Sequence, residues 1–254
     1  MKELRISEAL KVGWEGMLNN LGGMLIYAAI FVVLKLVGMG LTDLMTTAPL
    51  LGALCQLALG ILNILVGLCL LLVALKIAEA RGAKIGSFFD LDLSASLAGR
   101  YFITQLLYVG AFVLIACVGV LLVLLFVGTS IGVGALANKE ALLAFIKTAG
   151  LGLLAALALA GVALSYLMIC FTFALPAVLH QGLGPFEAFR ESLRLTEGAR
   201  SELLLMYLAF AGVLLAGFCC LIVGVIPAAL VIVIAKMQLY LEVFEQSGPG
   251  LPPS

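Results

Sequence analysis

Residues 50–75 read LLGALCQLALGILNILVGLCLLLVAL, an unbroken stretch without a single charged side chain. It is too long for a core strand, and it shows no polar face that a soluble helix would turn to water. About 20 apolar residues are enough to cross the hydrocarbon of a bilayer as a helix. Lys76, Arg81 and Lys84 follow at once, so the run ends in a cationic loop.

Five more such runs flank it. The apolar pattern predicts spans over about 21–42, 50–75, 101–127, 148–175, 203–223 and 227–243. Apolar residues make up 64% of the 254-residue chain and charged residues 11%. Soluble domains hold roughly half and a quarter. Lipid requires backbone groups to bond internally, which leaves helices or closed barrels. Continuous runs rich in Leu, Ala and Gly exclude the alternating strands of a barrel. The expected fold class is therefore all-α: a polytopic six-helix transmembrane bundle, with short amphipathic helices over about 3–18 and 185–197. Residues 1–245 form one transmembrane domain, and 246–254, rich in Pro and Gly, form a disordered tail.

The charges set the orientation. Lys2, Arg5 and Lys11 precede the first run. Lys76, Arg81, Lys84 and Arg100 fill the second gap, and Arg190, Arg194 and Arg200 fill the fourth. The intervening gaps hold only Asp43, then Lys139 and Glu140, then nothing. By the positive-inside rule the basic gaps and both termini are cytoplasmic. No cleavable signal peptide is expected, because the first run is full length and lacks a small-residue cleavage site. Zero net charge, with no basic block, argues against a nucleic-acid partner.

The chain also reads as one unit used three times: an amphipathic segment, then two spans. Glu8-Ala9-Leu10-Lys11 parallels Glu187-Ala188-Phe189-Arg190, and Gly13-Trp14 parallels Ser192-Leu193. Residues 85–93 hold the same place in the middle copy, with weaker likeness. In the first segment Ile6, Leu10, Trp14 and Met17 share one helical face, with Glu8, Lys11 and Glu15 opposite. Such a helix is expected to lie in the interface plane.

Polar residues inside the runs are few. Lys35 and Lys236 can reach their nearer interfaces along their aliphatic stems. Asn63 is the most central polar residue and calls for an interhelical hydrogen bond, with Ser165 as a candidate mate. Lining a substrate path is the sharper alternative for Asn63. Gly152, Ala156, Ala160, Gly161 and Ser165, and likewise Gly212, Ala216 and Cys220, form small faces expected to pack the fourth and fifth spans tightly or to form a dimer face. The six cysteines lie in apolar runs without His at ligand spacing and read as buried free thiols. His180 reads as an exposed loop residue with no nucleophile partner. No cofactor, metal site or catalytic constellation is expected.

The most distinctive text is 179–201, LHQGLGPFEAFRESLRLTEGARS. Pro185 suits a first helical position and Gly198 a helix end. Phe186, Phe189 and Leu193 share a face at i, i+3, i+7. Arg190, Arg194 and Arg200 stand where anionic headgroups of the inner leaflet would meet them. The positive-inside rule alone also accounts for these arginines. This text, through Gly182, Gly184, Pro185, Glu187, Ala188, Arg190, Ser192, Leu195, Thr196 and Gly198, resembles a loose group of bacterial membrane proteins. The group includes the YciC-type inner-membrane family and the membrane domain of some glycerophosphoryl diester phosphodiesterases. Leu193 stands where many such proteins carry Trp. The resemblance implies an architecture and a bacterial inner membrane, and no reaction.

The expected function is that of a non-enzymatic scaffold or accessory subunit contacting anionic lipids, with a membrane-protein partner or a second copy as further partners. The alternative is a small transporter or lipid-translocating protein, marked by a polar cavity at mid-membrane. The orientation is checked by reporters fused after Ser254. A fluorescent protein there should fluoresce and alkaline phosphatase should stay inactive; the reverse pattern overturns the cytoplasmic C-terminus.

Overall fold

A computed structural model of the protein describes residues 4–41, 48–84, 94–130, 158, 161–219 and 222–248. It is all helical there. The helices are α1 (Ile6–Asn19), α2 (Leu21–Gly40), α3 (Pro49–Glu79), α4 (Ala95–Ser130), α5 (Ala174–Gln181), α6 (Pro185–Thr196), α7 (Arg200–Cys219) and α8 (Ile222–Ser247). Residues 161–170 are also helical and lead into α5 through a turn at 171–173. Six segments are long and apolar enough to cross a membrane: α2, α3, Ala95–Gly119 of α4, Gly161–Gln181, α7, and Gly224–Ser247 of α8.

The helices outrun the hydropathy pattern. α3 continues past residue 75 to Glu79, and α8 past 243 to Ser247. The added turns carry charge (Lys76, Glu79, Glu245), so hydropathy ends where the backbone hydrogen bonding does not. α4 likewise starts at Ala95, six residues before the apolar run. The start of the fourth span and the tail beyond 248 lie outside the described residues.

The second helix of each hairpin is central and the first is peripheral. α8 packs against α1, α7 and α3, while α3 also meets α2, α4 and α5. Each inner helix ends near a glycine at positive φ: Gly82, Gly182 and Gly248, at +80°, +65° and +70°. That left-handed turn is open to Gly without a Cβ penalty and closes a helix end. Each cap carbonyl accepts from a side chain of its own hairpin. The donors are Asn19 to Gly82 at 2.9 Å, Arg100 to Gly182, and Arg194 to Gly248 at 3.4 Å.

The amphipathic helices turn mainly their small residues to the bundle. In α1 the buried residues are Ala9, Gly13, Gly16 and Met17, and Trp14 is 54% exposed. In α6 they are Ala188, Ser192, Leu195 and Thr196, and Phe186 is 78% exposed. The reason is distance of approach. A Cβ on Gly13 would stand 2.6 Å from the Val231 carbonyl oxygen of α8, and one on Gly16 would stand 2.5 Å from Ile77 Cγ2 of α3. Small residues allow that contact, and the large apolar side chains are left facing outward. α1 is thus docked onto α8 and α3 on its small-residue side.

The first and third copies share more than sequence. The buried positions between 6 and 27 are Ala9, Gly13, Gly16, Met17, Asn20, Met24 and Tyr27. Those between 185 and 206 are Ala188, Ser192, Leu195, Thr196, Ala199, Leu203 and Met206, each 179 positions on. The repeat is therefore structural in these two copies. The middle copy's segment, 85–93, lies outside the described residues.

Gly13→Ala should lower the thermal midpoint in detergent, by the roughly 1–3 kcal/mol that overpacking costs. Gly22→Ala, with nothing within 4 Å of its Cβ, should be neutral or mildly stabilising. Equal midpoints for the two variants would remove the close contact of α1.

Candidate functional site

Three polar places stand out, and the first is the break at 171–173. There the helix loses regular backbone bonding. Ser192 of α6, fully buried, repairs it: its hydroxyl donates to the Cys170 carbonyl at 2.7 Å and accepts from the Phe173 N–H at 3.1 Å. Thr172 and Tyr207 add a hydroxyl pair at 2.6 Å, tying α7 to the same turn. Phe171 and Phe189 pack edge to face at 4.9 Å. α6 itself opens at Pro185, and Glu187 accepts from the Gly184 N–H at 2.9 Å. Pro and an acceptor in the first turn suit a helix start.

The three arginines of this region are not equivalent. Arg190 is exposed and in no ion pair among the described residues. Arg194 is half-buried and bound by both Glu191 oxygens, at 2.8 and 2.6 Å. That carboxylate pushes the Arg194 pKa above its ordinary value. Arg200 is exposed, its guanidinium 5.4 Å from the Tyr166 ring centre. Arg190 and Arg200 are thus presented outward, whereas Arg194 belongs to the local framework.

The second place is a groove between α2, α3 and α4. Its volume is about 380 Å³, and Phe31, Lys35, Asn63, Gly67, Tyr101 and Gln105 line it. Lys35 does not reach outward for the nearer interface. Its ammonium folds back to 5.5 Å from the Phe31 ring, one turn toward the bilayer middle. Helical side chains lean toward the N-terminus, which accounts for the direction. Gly67 leaves room for the Tyr101 hydroxyl, 3.7 Å from where a Cβ would stand. Gln105 Oε1 is buried and lacks a partner among the described residues. Asn63 is half-buried at the groove wall.

Asn63 and Ser165 are not brought together. Ser165 is exposed and donates to the Gly161 carbonyl of its own helix at 2.8 Å. A hydroxyl four residues on can always satisfy itself this way, so no interhelical mate is needed. Gly152, Ala156, Ala160 and Cys220 lie outside the described residues. Gly161, Gly212 and Ala216 are exposed, so they do not join the fourth span to the fifth. The close approach on α7 is one residue away, at Gly217, where a Cβ would meet the Gly224 carbonyl oxygen at 2.7 Å.

The third place is a cavity of about 600 Å³ at the end of the bundle carrying α1. Arg5, Glu8, Glu79, Arg81, His180 and Glu242 line it, among others. His180 sits on the last turn of α5, not in a loop, and packs edge-on against Tyr240 and Phe244. No nucleophile stands beside it among the described residues. Nor, among them, do three or more His, Cys, Asp or Glu side chains gather as a metal site would require. Cys55, Cys69, Cys117, Cys170 and Cys219 are free thiols.

The sequence pattern carried Ser192 in the repeat and in the family-like text without giving it a role, and did not point to Thr172 or Asn20. Asn20, 2% exposed, donates to the Gly16 and Ala83 carbonyls at 2.9 and 3.0 Å. The available signal was placement: polar residues at the junctions of amphipathic helix and span, where backbone groups need side-chain partners. No family model, curated protein or solved structure matches this chain.

Ser192→Ala removes one hydroxyl and leaves two buried backbone groups unsatisfied. Each such group costs about 1–3 kcal/mol. The variant should unfold several degrees lower in detergent, while Ser165→Ala should leave the midpoint unchanged. Equal midpoints would show that the break at 171–173 is satisfied without Ser192.

Proposed function

We propose that this chain is a non-enzymatic integral protein of the bacterial inner membrane, with both termini cytoplasmic. In this reading it is a scaffold or accessory subunit that rests on anionic lipid through α1 and α6. The carrying observation is the outward face of those helices. Trp14 and Leu18 are exposed on α1 beside Lys11, and Phe186 and Leu193 are exposed on α6 beside Arg190. Aromatic and basic side chains together suit the headgroup level of a membrane. Because the small faces are buried, the large apolar and cationic groups are left for lipid. The loop text that resembles the YciC-type family supports the same compartment.

A second reading, a small transporter or lipid-translocating protein, is favoured by the polar groove at Lys35 and Asn63, since a purely packed scaffold has no use for polar groups at that depth.

Trp14 is the only tryptophan in the chain, so it reports its own lipid neighbours. In proteoliposomes of mixed lipid, brominated phosphatidylglycerol should quench it more than brominated phosphatidylcholine. Lys11→Gln should reduce that preference about fivefold, on the scale of about 1 kcal/mol per cation near an anionic surface. Raising salt should do the same. On α6, a Leu193→Trp reporter in a Trp14→Phe background should respond to Arg190→Gln and hardly to Arg194→Gln, which is already paired. Identical quenching by both lipids would reject the anionic-lipid role.

A further inference from the structure

The groove between α2, α3 and α4 holds polar groups that the protein does not satisfy, at a depth where water is scarce. α2 rises about 1.5 Å per residue. Phe31, over which the Lys35 ammonium lies, is ten residues from the start of α2 at Leu21. The ammonium is therefore about 15 Å into a hydrocarbon layer roughly 30 Å thick. Gln105, on the second turn of the apolar run of α4, lines the same groove. Tyr101 is only 4% exposed and lines the same groove. Its hydroxyl makes no hydrogen bond to another described residue, nor does the Asn63 amide. Gln105 Oε1 is a buried acceptor without a donor. Polar groups left unpaired in lipid are strongly unfavourable, so the set calls for an occupant with its own donors and acceptors.

The chemistry of the set selects that occupant. Among the described residues Lys35 is the one charged side chain lining the groove, and it needs an anion. Gln105 Oε1 needs a hydrogen-bond donor. Tyr101 and Asn63 accept either. The lining rises from apolar spans, and Phe31, Gly60 and Ile64 supply apolar wall beside the polar groups. A molecule reaching it from the bilayer must be amphipathic. We propose that the groove is a headgroup site for one anionic phospholipid whose headgroup carries a hydroxyl. Lys35 pairs with the phosphate, and Gln105 accepts from the headgroup hydroxyl. The site gives the second reading its substrate class, and it stands apart from the lipid contact of α1 and α6.

The test uses the full chain in mild detergent, exposed to an equimolar mixture of dioleoyl phosphatidylglycerol and dioleoyl phosphatidylcholine and read by native mass spectrometry. One phosphatidylglycerol should stay bound per chain, preferred about tenfold, the scale of one hydrogen bond to a charged group. Lys35→Gln should abolish the preference and Lys35→Arg should keep it. The double variant Arg190→Gln, Arg200→Gln should still retain the bound lipid, which separates this site from the interface. Folding is followed by a second readout: phosphatidylglycerol should raise the thermal midpoint of the parent chain and of Lys35→Arg, but not of Lys35→Gln. Equal retention of both lipids overturns the proposal, as does a preference that survives Lys35→Gln or vanishes with the arginine pair. Retention with no translocation in proteoliposomes would leave the site standing and drop only the transport reading.

Discussion

The arrangement depends on how closely backbone can approach backbone at Gly13 and Gly16. At those positions α1 lies against the Val231 carbonyl of α8 and the Ile77 side chain of α3 with no room for a Cβ. In lipid there is little hydrophobic gain in bringing two helices together, so close packing and hydrogen bonds must do it. The glycines let α1 dock onto the bundle through its small-residue side. Asn19 and Asn20 then reach the Gly82 and Ala83 carbonyls, which ties the end of α3 to the start of α2. A helix docked this way can no longer slide on the surface, and the outward side chains keep a fixed relation to the bilayer.

The third copy reaches the same geometry by different chemistry. Ser192 stands where Gly13 stands, Leu195 where Gly16 stands, and Thr196 where Met17 stands. α1 meets unbroken α8 and needs bare backbone. α6 meets a helix broken at 171–173, where two backbone groups need partners, and a hydroxyl serves that place better than a hydrogen atom. Burial is what repeats; the residue filling each place follows the local need. The docking is also cyclic: α1 of the first hairpin packs on α8 of the third, and α6 of the third packs on α5 of the second. The three inner helices share an end near a glycine at positive φ.

Much of the architecture was legible. The six spans, the helix opening at Pro185 and the likeness of Glu8–Lys11 to Glu187–Arg190 all follow from periodicity and the positions of Pro and charge. The buried faces of α1 and α6 were not. Hydropathy weighs side chains by how much they prefer lipid, so it marked an apolar face through Trp14 and another through Phe186 without saying which face meets the bundle. In a membrane that preference no longer distinguishes inside from outside, because lipid takes apolar side chains as readily as a core does. Small size and hydrogen-bonding need then decide which face packs. On α7 small size was the right signal read one position off: Gly212 and Ala216 are exposed and Gly217 makes the close approach. The groove was half legible: Asn63 was marked by its depth, but Tyr101 and Gln105 sit near the start of α4, where nothing in the spacing links them to it.

These differences divide the protein into two unlike regions. On the side of α1 and α6 the chain is tied by Ser192, Asn20, Thr172 and the glycine ends, although Gln238 Oε1 and Glu242 Oε2 are buried there without a partner among the described residues. In the groove between α2, α3 and α4, Gln105 Oε1 is without a partner among the described residues and Lys35 stands exposed. Selection for packing alone would have replaced Gln105 and Asn63 by Leu, because an apolar residue of like size removes the unsatisfied group without opening a void. Lys35 would be removed still more readily, since a charge near mid-bilayer costs at least about 2.5 kcal/mol. A base tied by side-chain to backbone hydrogen bonds and a polar groove beside it form a consistent pair. The base holds α2, α3 and α4 at fixed spacing, and that spacing keeps the groove from collapsing onto its own polar groups.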